Sequence, residues 1–325
     1  MKEEHKSCIN CGESIWVPMW RSTPLDYADK SVYQVKQCKR CGLARTFPFP
    51  EKNEIALSYG RGAYNPVKKL GVKALEVLAK VSERIKLRRL SYLTQGRNLL
   101  DVGSGNGRFV RVANDQGWNA YGYEPYQEAS VPPKYRDRFF RGRLGDLPLK
   151  EGAVDVVTMW HVLEHIPDPQ MALQSVRKYL KEDGVLLIAV PNIQSFLVKV
   201  ARGWWYHLDV PRHLWHFSPE SVSATLVSAG YEVTGTSYPS NQNLISLWMS
   251  IGNMMGCAHN YPWNVVRLNR NMLRSVSMLR IVYSTIVHAL LFICVPVMYL
   301  ICRVLCMLSQ SDTFEIYAKK RLSPS

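Results

Sequence analysis

Four cysteines open the sequence in two pairs, Cys8-Ile-Asn-Cys11 and Cys38-Lys-Arg-Cys41, each followed by a glycine, Gly12 and Gly42. Two thiolates at this spacing fit adjacent corners of a tetrahedron, and the glycine permits a tight turn whose amides face sulfur. Four sulfur ligands leave no open coordination position. The spacing therefore predicts structural Zn2+ held by Cys8, Cys11, Cys38 and Cys41. The other four cysteines, Cys257, Cys294, Cys302 and Cys306, lie in an apolar stretch much further along. A secreted disulfide scaffold does not distribute its cysteines in this way. The stretch MKEEHKSC carries charge but no apolar signal region, so the expected compartment is reducing and cytoplasmic.

A second chemical signature is LLDVGSGNGRFV. An apolar run ends at Asp101 and passes through Gly103, Gly105 and Gly107 into a helical pattern near Arg108. Glycine is needed where backbone approaches a ligand with no Cβ in the way. Alone, such a turn suits nicotinamide, flavin or adenosylmethionine equally. Glu124 favours a ligand site over a bare turn: it ends the next apolar run, in YGYEP, where a carboxylate can accept hydrogen bonds from both ribose hydroxyls.

With LPLKEGAVDVVTMWHVLEHIPDP, DGVLLIAVPN and YHLDVPRHLWHFS, these blocks resemble class I S-adenosylmethionine-dependent methyltransferases, in particular bacterial members with an N-terminal zinc-binding segment. The resemblance covers most of the chain. It implies a Rossmann-like α/β fold with a seven-stranded, mostly parallel sheet, whose last strand, TFEIYAK, inserts antiparallel beside the fifth. It further implies S-adenosyl-L-methionine as cofactor, with Asp101, Gly103 and Gly105 along its methionine and ribose side, Gly107 closing the turn and Glu124 on the ribose. Leu144 and Trp160 would flank the adenine and methionyl parts. A side chain at Gly103 is expected to occupy space the methionyl part needs. One position departs from the pattern: many relatives carry an acid after the glycine corresponding to Gly142, and this chain has Arg143. Adenine contacts would then fall to backbone near Leu144, or to Asp146.

Methyl transfer from a sulfonium is an in-line displacement with an activated donor, so the protein supplies alignment and, for a hydroxyl acceptor, a base. Five of the eight histidines lie in two segments. His161 and His165 flank Glu164 in WHVLEH, and His207, His213 and His216 accompany Asp209 and Arg212 in YHLDVPRHLWHF. His165 and His213 are the leading candidates for the base.

The elements that must position these groups follow from periodicity. The runs NLLDV, NAYGYE, RFF, VDVVTMW, VLLIAV and YEVTGTSY alternate with helical stretches, as in a parallel sheet covered on both faces. Before them, Leu70, Ala74, Val77, Leu78, Val81, Ile85 and Leu93 recur at helical spacing among Lys and Arg, which predicts a basic amphipathic helix. After Tyr238 comes LISLWMSIGNMMG, a basic stretch with Arg267, Arg270, Arg274 and Arg280, and then Ile281 to Cys302 without one acid, Lys or Arg. That run is long enough to span a bilayer as a transmembrane helix. Yet the strands on either side of the insertion should be neighbours, so it must cross an even number of times, dip and return near Pro296, or lie flat; a buried hairpin or dimer interface is the soluble alternative. The expected organisation is a zinc-ribbon-like module over 1–50, a linker and basic helix over 51–97, the methyltransferase core over 98–240, an apolar helical insertion over 241–311, and the final strand and tail over 312–325.

The formal charge of +15 is uneven. Residues 98–240 carry fourteen Lys/Arg against fifteen Asp/Glu, whereas 66–97 carry nine against two and 241–325 eight against two. A neutral centre between basic flanks places the positive charge on something anionic and away from the chemistry. The expected function is methyl transfer to a small-molecule or lipid-linked glycan or lipid acceptor at the cytoplasmic face of a membrane, suspected to be a bacterial inner membrane. An RNA methyltransferase with a zinc module and a non-catalytic membrane-associated binding protein are the alternatives; the neutral centre and the apolar run weigh against nucleic acid.

Overall fold

The computed structural model describes residues 7–23, 31–51, 54–55, 72–125, 132–239, 243–266 and 276–321. The start of the basic helix before residue 72 and Arg267, Arg270 and Arg274 lie outside the described residues. Along the chain the strands are β1 (Trp16–Ser22), β2 (Tyr33–Cys38), β3 (Ala44–Phe47), β4 (Asn98–Val102), β5 (Asn119–Tyr123), β6 (Phe139–Phe140), β7 (Val154–Trp160), β8 (Leu180–Pro191), β9 (Trp215–His216), β10 (Tyr231–Ser237) and β11 (Thr313–Lys320). The helices are α1 (Val72–Leu90), α2 (Arg108–Asp115), α3 (Pro169–Arg177), α4 (Phe196–Ala201), α5 (Pro219–Ser228), α6 (Asn243–Met254), α7 (Tyr261–Val266), α8 (Met278–Ile293) and α9 (Val295–Met307). They form two compact units, one built from residues 68–190, 222–236 and 315–325, the other from 1–67, 191–221 and 237–314.

The first of these units is a seven-stranded sheet in the order β10-β11-β8-β7-β4-β5-β6. β4 pairs parallel with β5 and with β7, β5 with β6, and β7 with β8. The middle strands are buried on both faces, which is why they read as unbroken apolar runs and not as an alternation. Leu99 and Leu100 stand opposite Val156 and Val157, which in turn stand opposite Val185 and Leu186. The last strand lies between β8 and β10, the place expected of TFEIYAK. From β4 the chain moves outward through β5 and β6, then returns to the other side of β4 as β7. That reversal opens a crevice at the carboxyl ends of the strands, where ligands of such sheets bind.

Helix α1 contributes Leu87 and Leu90 to this core, beside Phe109, Val110 and Ala113 of α2. Among the described residues of the apolar stripe read from the sequence, none is buried. Val77, Val81 and Ile85 are exposed, among exposed Lys80, Arg84 and Arg88. A helix buries the face that meets a partner, and here the partner takes the end of the helix. Arg89 fixes the register, its guanidinium donating through both terminal nitrogens to Glu315 of β11 and to the Tyr317 hydroxyl at 2.9 Å.

The second unit contains an antiparallel sheet, β1-β2-β3-β9, so the cysteine segment gains a fourth strand from Trp215 and His216. Its core joins Tyr33, Val35 and Ala44 to Leu197, Val198, Trp205 and Val210. The apolar run, long enough for one spanning helix, is two helices bent by 68°. Pro296 stands in the first turn of α9, where its missing N–H is harmless, but it could not continue α8. No single helix among the described residues is long and apolar enough to cross a membrane. The two ends of the insertion meet: the Asn243 amide donates to Ser311 Oγ at 2.7 Å, Asn192 to the Ser311 carbonyl at 3.0 Å, and the hydroxyls of Ser195 and Ser246 both donate to Asp312. Burial raises the Asp312 pKa, against the hydrogen bonds from these hydroxyls, which lower it.

Candidate cofactor site and metal centre

The glycine turn follows β4 at the carboxyl edge of the sheet. All three glycines have positive φ, and their surroundings differ. A Cβ on Gly103 would come within 2.4 Å of Val162, and one on Gly107 within 2.4 Å of the Phe139 ring. A Cβ on Gly105 would meet nothing within 4 Å. Gly103 is therefore required by its own backbone conformation and by Val162, and the open position is Gly105. The Gly105 amide donates to Glu124 Oε2 at 2.9 Å, so the carboxylate at the end of β5 faces the turn.

Asp101 is buried at the end of β4 and accepts a hydrogen bond from the Thr158 hydroxyl at 2.7 Å. Burial pushes its pKa up to about 7, against the Thr158 hydrogen bond and the Lys86 charge, which lower it. Trp160 ends β7 with its ring edge-to-face against Phe109, at 6.0 Å, and the Lys86 ammonium 4.6 Å from its centroid. Trp160 Nε1 and Ser104 Oγ are buried with no hydrogen-bond partner among the described residues. Leaving such donors unsatisfied costs about 1–3 kcal/mol each, so these two, with Ser104 next in sequence to the open glycine, fit a site built for a polar ligand. Leu144 is half-buried and opens a short 3-10 turn with Asp146, which is exposed. Lys86 and Ser104 are additions that spacing did not reveal. Lys86 is one of nine basic residues in its segment, with nothing in the sequence to mark it.

His165 ends a 3-10 turn after β7 and is half-buried; beside it Glu164 is 1% exposed, with Oε1 3.5 Å from His161 Nδ1. His213 belongs to the other unit and is buried there. Its Nδ1 donates to the His207 carbonyl at 2.7 Å, and its Nε2 lies 3.9 Å from Asp209 Oδ2. Asp209 also accepts from Arg212 Nε at 3.1 Å. His216 is structural: Thr46 Oγ1 donates to the His213 carbonyl at 2.6 Å and so accepts from His216 Nε2 at 3.0 Å. Burial pushes the His216 pKa down to about 3.

The four thiols of Cys8, Cys11, Cys38 and Cys41 lie within 4.8 Å of one another, with 3.4 Å between Cys8 and Cys41 and 3.5 Å between Cys11 and Cys38. Sulfurs about 2.3 Å from a central zinc would stand about 3.8 Å apart, so the cluster fits the ion. The amides of Gly12 and Gly42 fold back onto the carbonyls of Cys8 and Cys38, at 2.8 and 3.1 Å. Arg45 lies 4% exposed between the rings of Trp16 and Phe47, its guanidinium carbon 4.3 and 4.1 Å from their centroids. Its Nε and Nη1 have no hydrogen-bond partner among the described residues. A zinc tetrathiolate carries a net charge of about −2, and Arg45 supplies a buried opposite charge.

A methyltransferase-domain family model matches residues 76–236. That segment of the chain is similar to methyltransferase domains. Over 153 residues the chain is 31% identical to a probable S-adenosylmethionine-dependent methyltransferase of Mycolicibacterium smegmatis, covering 46% of this chain and 57% of that protein. Over 157 residues it is 31% identical to a ubiquinone biosynthesis O-methyltransferase of Pectobacterium carotovorum, covering 42% and 64%. The chain thus spans somewhat over half the length of these relatives. Among solved structures, the fold resembles an S-adenosylmethionine-dependent methyltransferase of Archaeoglobus fulgidus at 17% identity, covering 75% of this chain and 93% of that one, with a TM-score of 0.44. The matched segment includes the glycine turn, Glu124, Leu144 and Trp160 and leaves out the cysteine segment and the apolar insertion.

Proposed function

We propose that this protein transfers a methyl group from S-adenosylmethionine to a small-molecule or lipid-linked acceptor at the cytoplasmic face of a membrane. The observation that carries the reading is the open position at Gly105 facing the Glu124 carboxylate, with the orphaned Ser104 and Trp160 donors, inside a segment similar to methyltransferase domains. When bound, the cofactor supplies an activated methyl group; Asp101, Gly103, Gly105, Gly107, Glu124, Leu144 and Trp160 would hold it. The chain's own chemical task is to align the acceptor and remove its proton. The candidate bases are His165 and His213, and the His207 carbonyl orients the ring of His213. The relative named as an O-methyltransferase supports an oxygen nucleophile. Zinc, held by Cys8, Cys11, Cys38 and Cys41, would stabilise the fold and take no part in the transfer.

The membrane is supported by exposed apolar side chains on α8 and α9 and by the exposed Val77, Val81 and Ile85 among cations on α1. Incubating the full-length chain with isotope-labelled S-adenosylmethionine and host extract, split into lipid and aqueous fractions, tests the proposal by mass spectrometry. Label in a lipid-fraction product is the expected result, lost with His213→Ala while cofactor binding persists. Label confined to water-soluble products would remove the lipid-linked acceptor. Transfer to RNA alone would favour the nucleic-acid reading.

A further inference from the structure

Helices α8 and α9 carry two unlike faces. One is buried in their own unit: Ser284, Val287 and His288 of α8, and Met298 and Cys302 of α9. Helix α6 packs on both through small residues, and a Cβ on Gly252 would meet the His288 ring at 2.3 Å. The opposite face presents large apolar side chains to solvent along both helices. Leu279 is 82% exposed and Ile293 74%, with Ile286, Leu290, Leu300 and Met307 between and beyond them. An exposed apolar surface of this extent is rare on a soluble protein.

We infer that α8 and α9 form a one-leaflet anchor, lying in the interface of an anionic bilayer without crossing it. This rests on the proposed membrane location and adds the mode of attachment and the charge of the lipid. Three observations carry it. Length and shape come first: helices of 16 and 13 residues extend about 24 and 20 Å, and a pair bent by 68° does not traverse a hydrocarbon core about 30 Å thick. The second is that the insertion leaves and returns at one place, where Asn243 bonds Ser311 and Ser246 bonds Asp312. The third is charge. No Asp or Glu occurs between Glu232 and Asp312, whereas Arg280 and Arg303 both lie on the pair. Arg303 is exposed within α9 among exposed Tyr299, Leu300 and Met307. In a spanning helix that guanidinium would sit in hydrocarbon; in a helix lying flat its stem follows the apolar surface and its head reaches the phosphates. Arg280 donates to the Cys257 carbonyl at 3.2 Å and Tyr283 to the Met255 carbonyl at 2.8 Å, which places polar heads at the start of α8 against the body.

The exposed Cys294 at the bend is a native reporter. The full-length chain, purified in mild detergent and labelled there with a fluorophore, should float with vesicles of phosphatidylcholine and phosphatidylglycerol, and less with phosphatidylcholine alone. Quenchers attached high on the acyl chain should extinguish Cys294 more than deep ones, and an impermeant quencher sealed inside the vesicles should not reach it. Leu279→Glu with Ile293→Glu, both on the exposed face, should reduce flotation about tenfold or more. Quenching from inside the vesicles would show a crossing helix and overturn the inference. So would a lipid-independent dimer by light scattering that the same double variant dissociates, since a second copy would then cover the face. Cofactor binding, followed by calorimetry in each variant, keeps failure of the anchor distinct from failure of the methyltransferase reading.

Discussion

At the residue scale, the two glycines of the turn separate by experiment. Gly105→Val projects its side chain into open space at a φ of +53, so S-adenosylmethionine affinity should fall by an order of magnitude or more, while the melting temperature drops only by the left-handed strain of about 1–2 kcal/mol. Gly103→Ala adds a collision with Val162, so stability should fall further, and Val162→Ala should restore part of it. Calorimetry and thermal melts on both variants check this, and a Gly103→Ala protein that melts like wild type would refute the packing argument. Asp101 makes a pH prediction. Unfolded, it ionises near pH 4; folded, burial holds its pKa at about 7. Between those values the folded chain binds the extra proton, so this group's contribution is fully present below pH 4 and lost as pH rises toward 7. Relative to Asp101→Asn, wild-type stability should therefore decline across that window, by at most about 1.4 kcal/mol per pH unit, in denaturant melts at several pH values. Asp101, the three glycines and Glu124 were legible because residue type and spacing together encode their surroundings. Lys86 and Arg45 were not: a cation that covers an aromatic ring has no spacing signature.

At the scale of elements, the strands were legible and one helix face was not. NLLDV, VDVVTMW and VLLIAV are buried on both sides, and a continuous apolar run reports that without reference to partners. A helix of nineteen residues offers several possible faces, and the choice fell to Leu87 and Leu90 because α2 and the sheet meet that end. The length of the apolar run does not register a backbone break; Pro296 does, by removing a donor and clashing with the preceding turn, and it marked the place in the sequence. The convergence of the four cysteines was legible in their spacing, yet the sheet beside them is completed by β9, far along the chain. Cys38→Ser should lower the zinc content of the purified protein and its melting temperature without altering cofactor affinity. Arg45→Met keeps the stem between Trp16 and Phe47 but removes the charge; it should weaken zinc retention against a chelator, and unchanged retention would show that the guanidinium only packs. Metal analysis and chelator titration supply both readouts.

For the whole molecule, attachment to membranes should combine a term that salt cannot screen with one that it can. Apolar burial by α8 and α9 persists at any ionic strength, whereas each cation near anionic lipid contributes on the order of 1 kcal/mol and weakens as salt rises. Concentrated salt should therefore leave the full-length chain in the membrane pellet and detergent should release it; a soluble chain without detergent would make the exposed face an interface between proteins. The position of β11 carries a consequence for biosynthesis. β10 lies at the sheet edge with β11 as its neighbour, and roughly 75 residues separate the end of one from the start of the other. At roughly 5–20 residues per second, the nascent β10 waits several seconds for that neighbour. The apolar helices emerge during the wait. If α8 and α9 anchor the chain as proposed, translation order would present them to the bilayer before the sheet can close, and lipid, by taking them up early, would shield a stretch that could otherwise aggregate beside an unpaired strand.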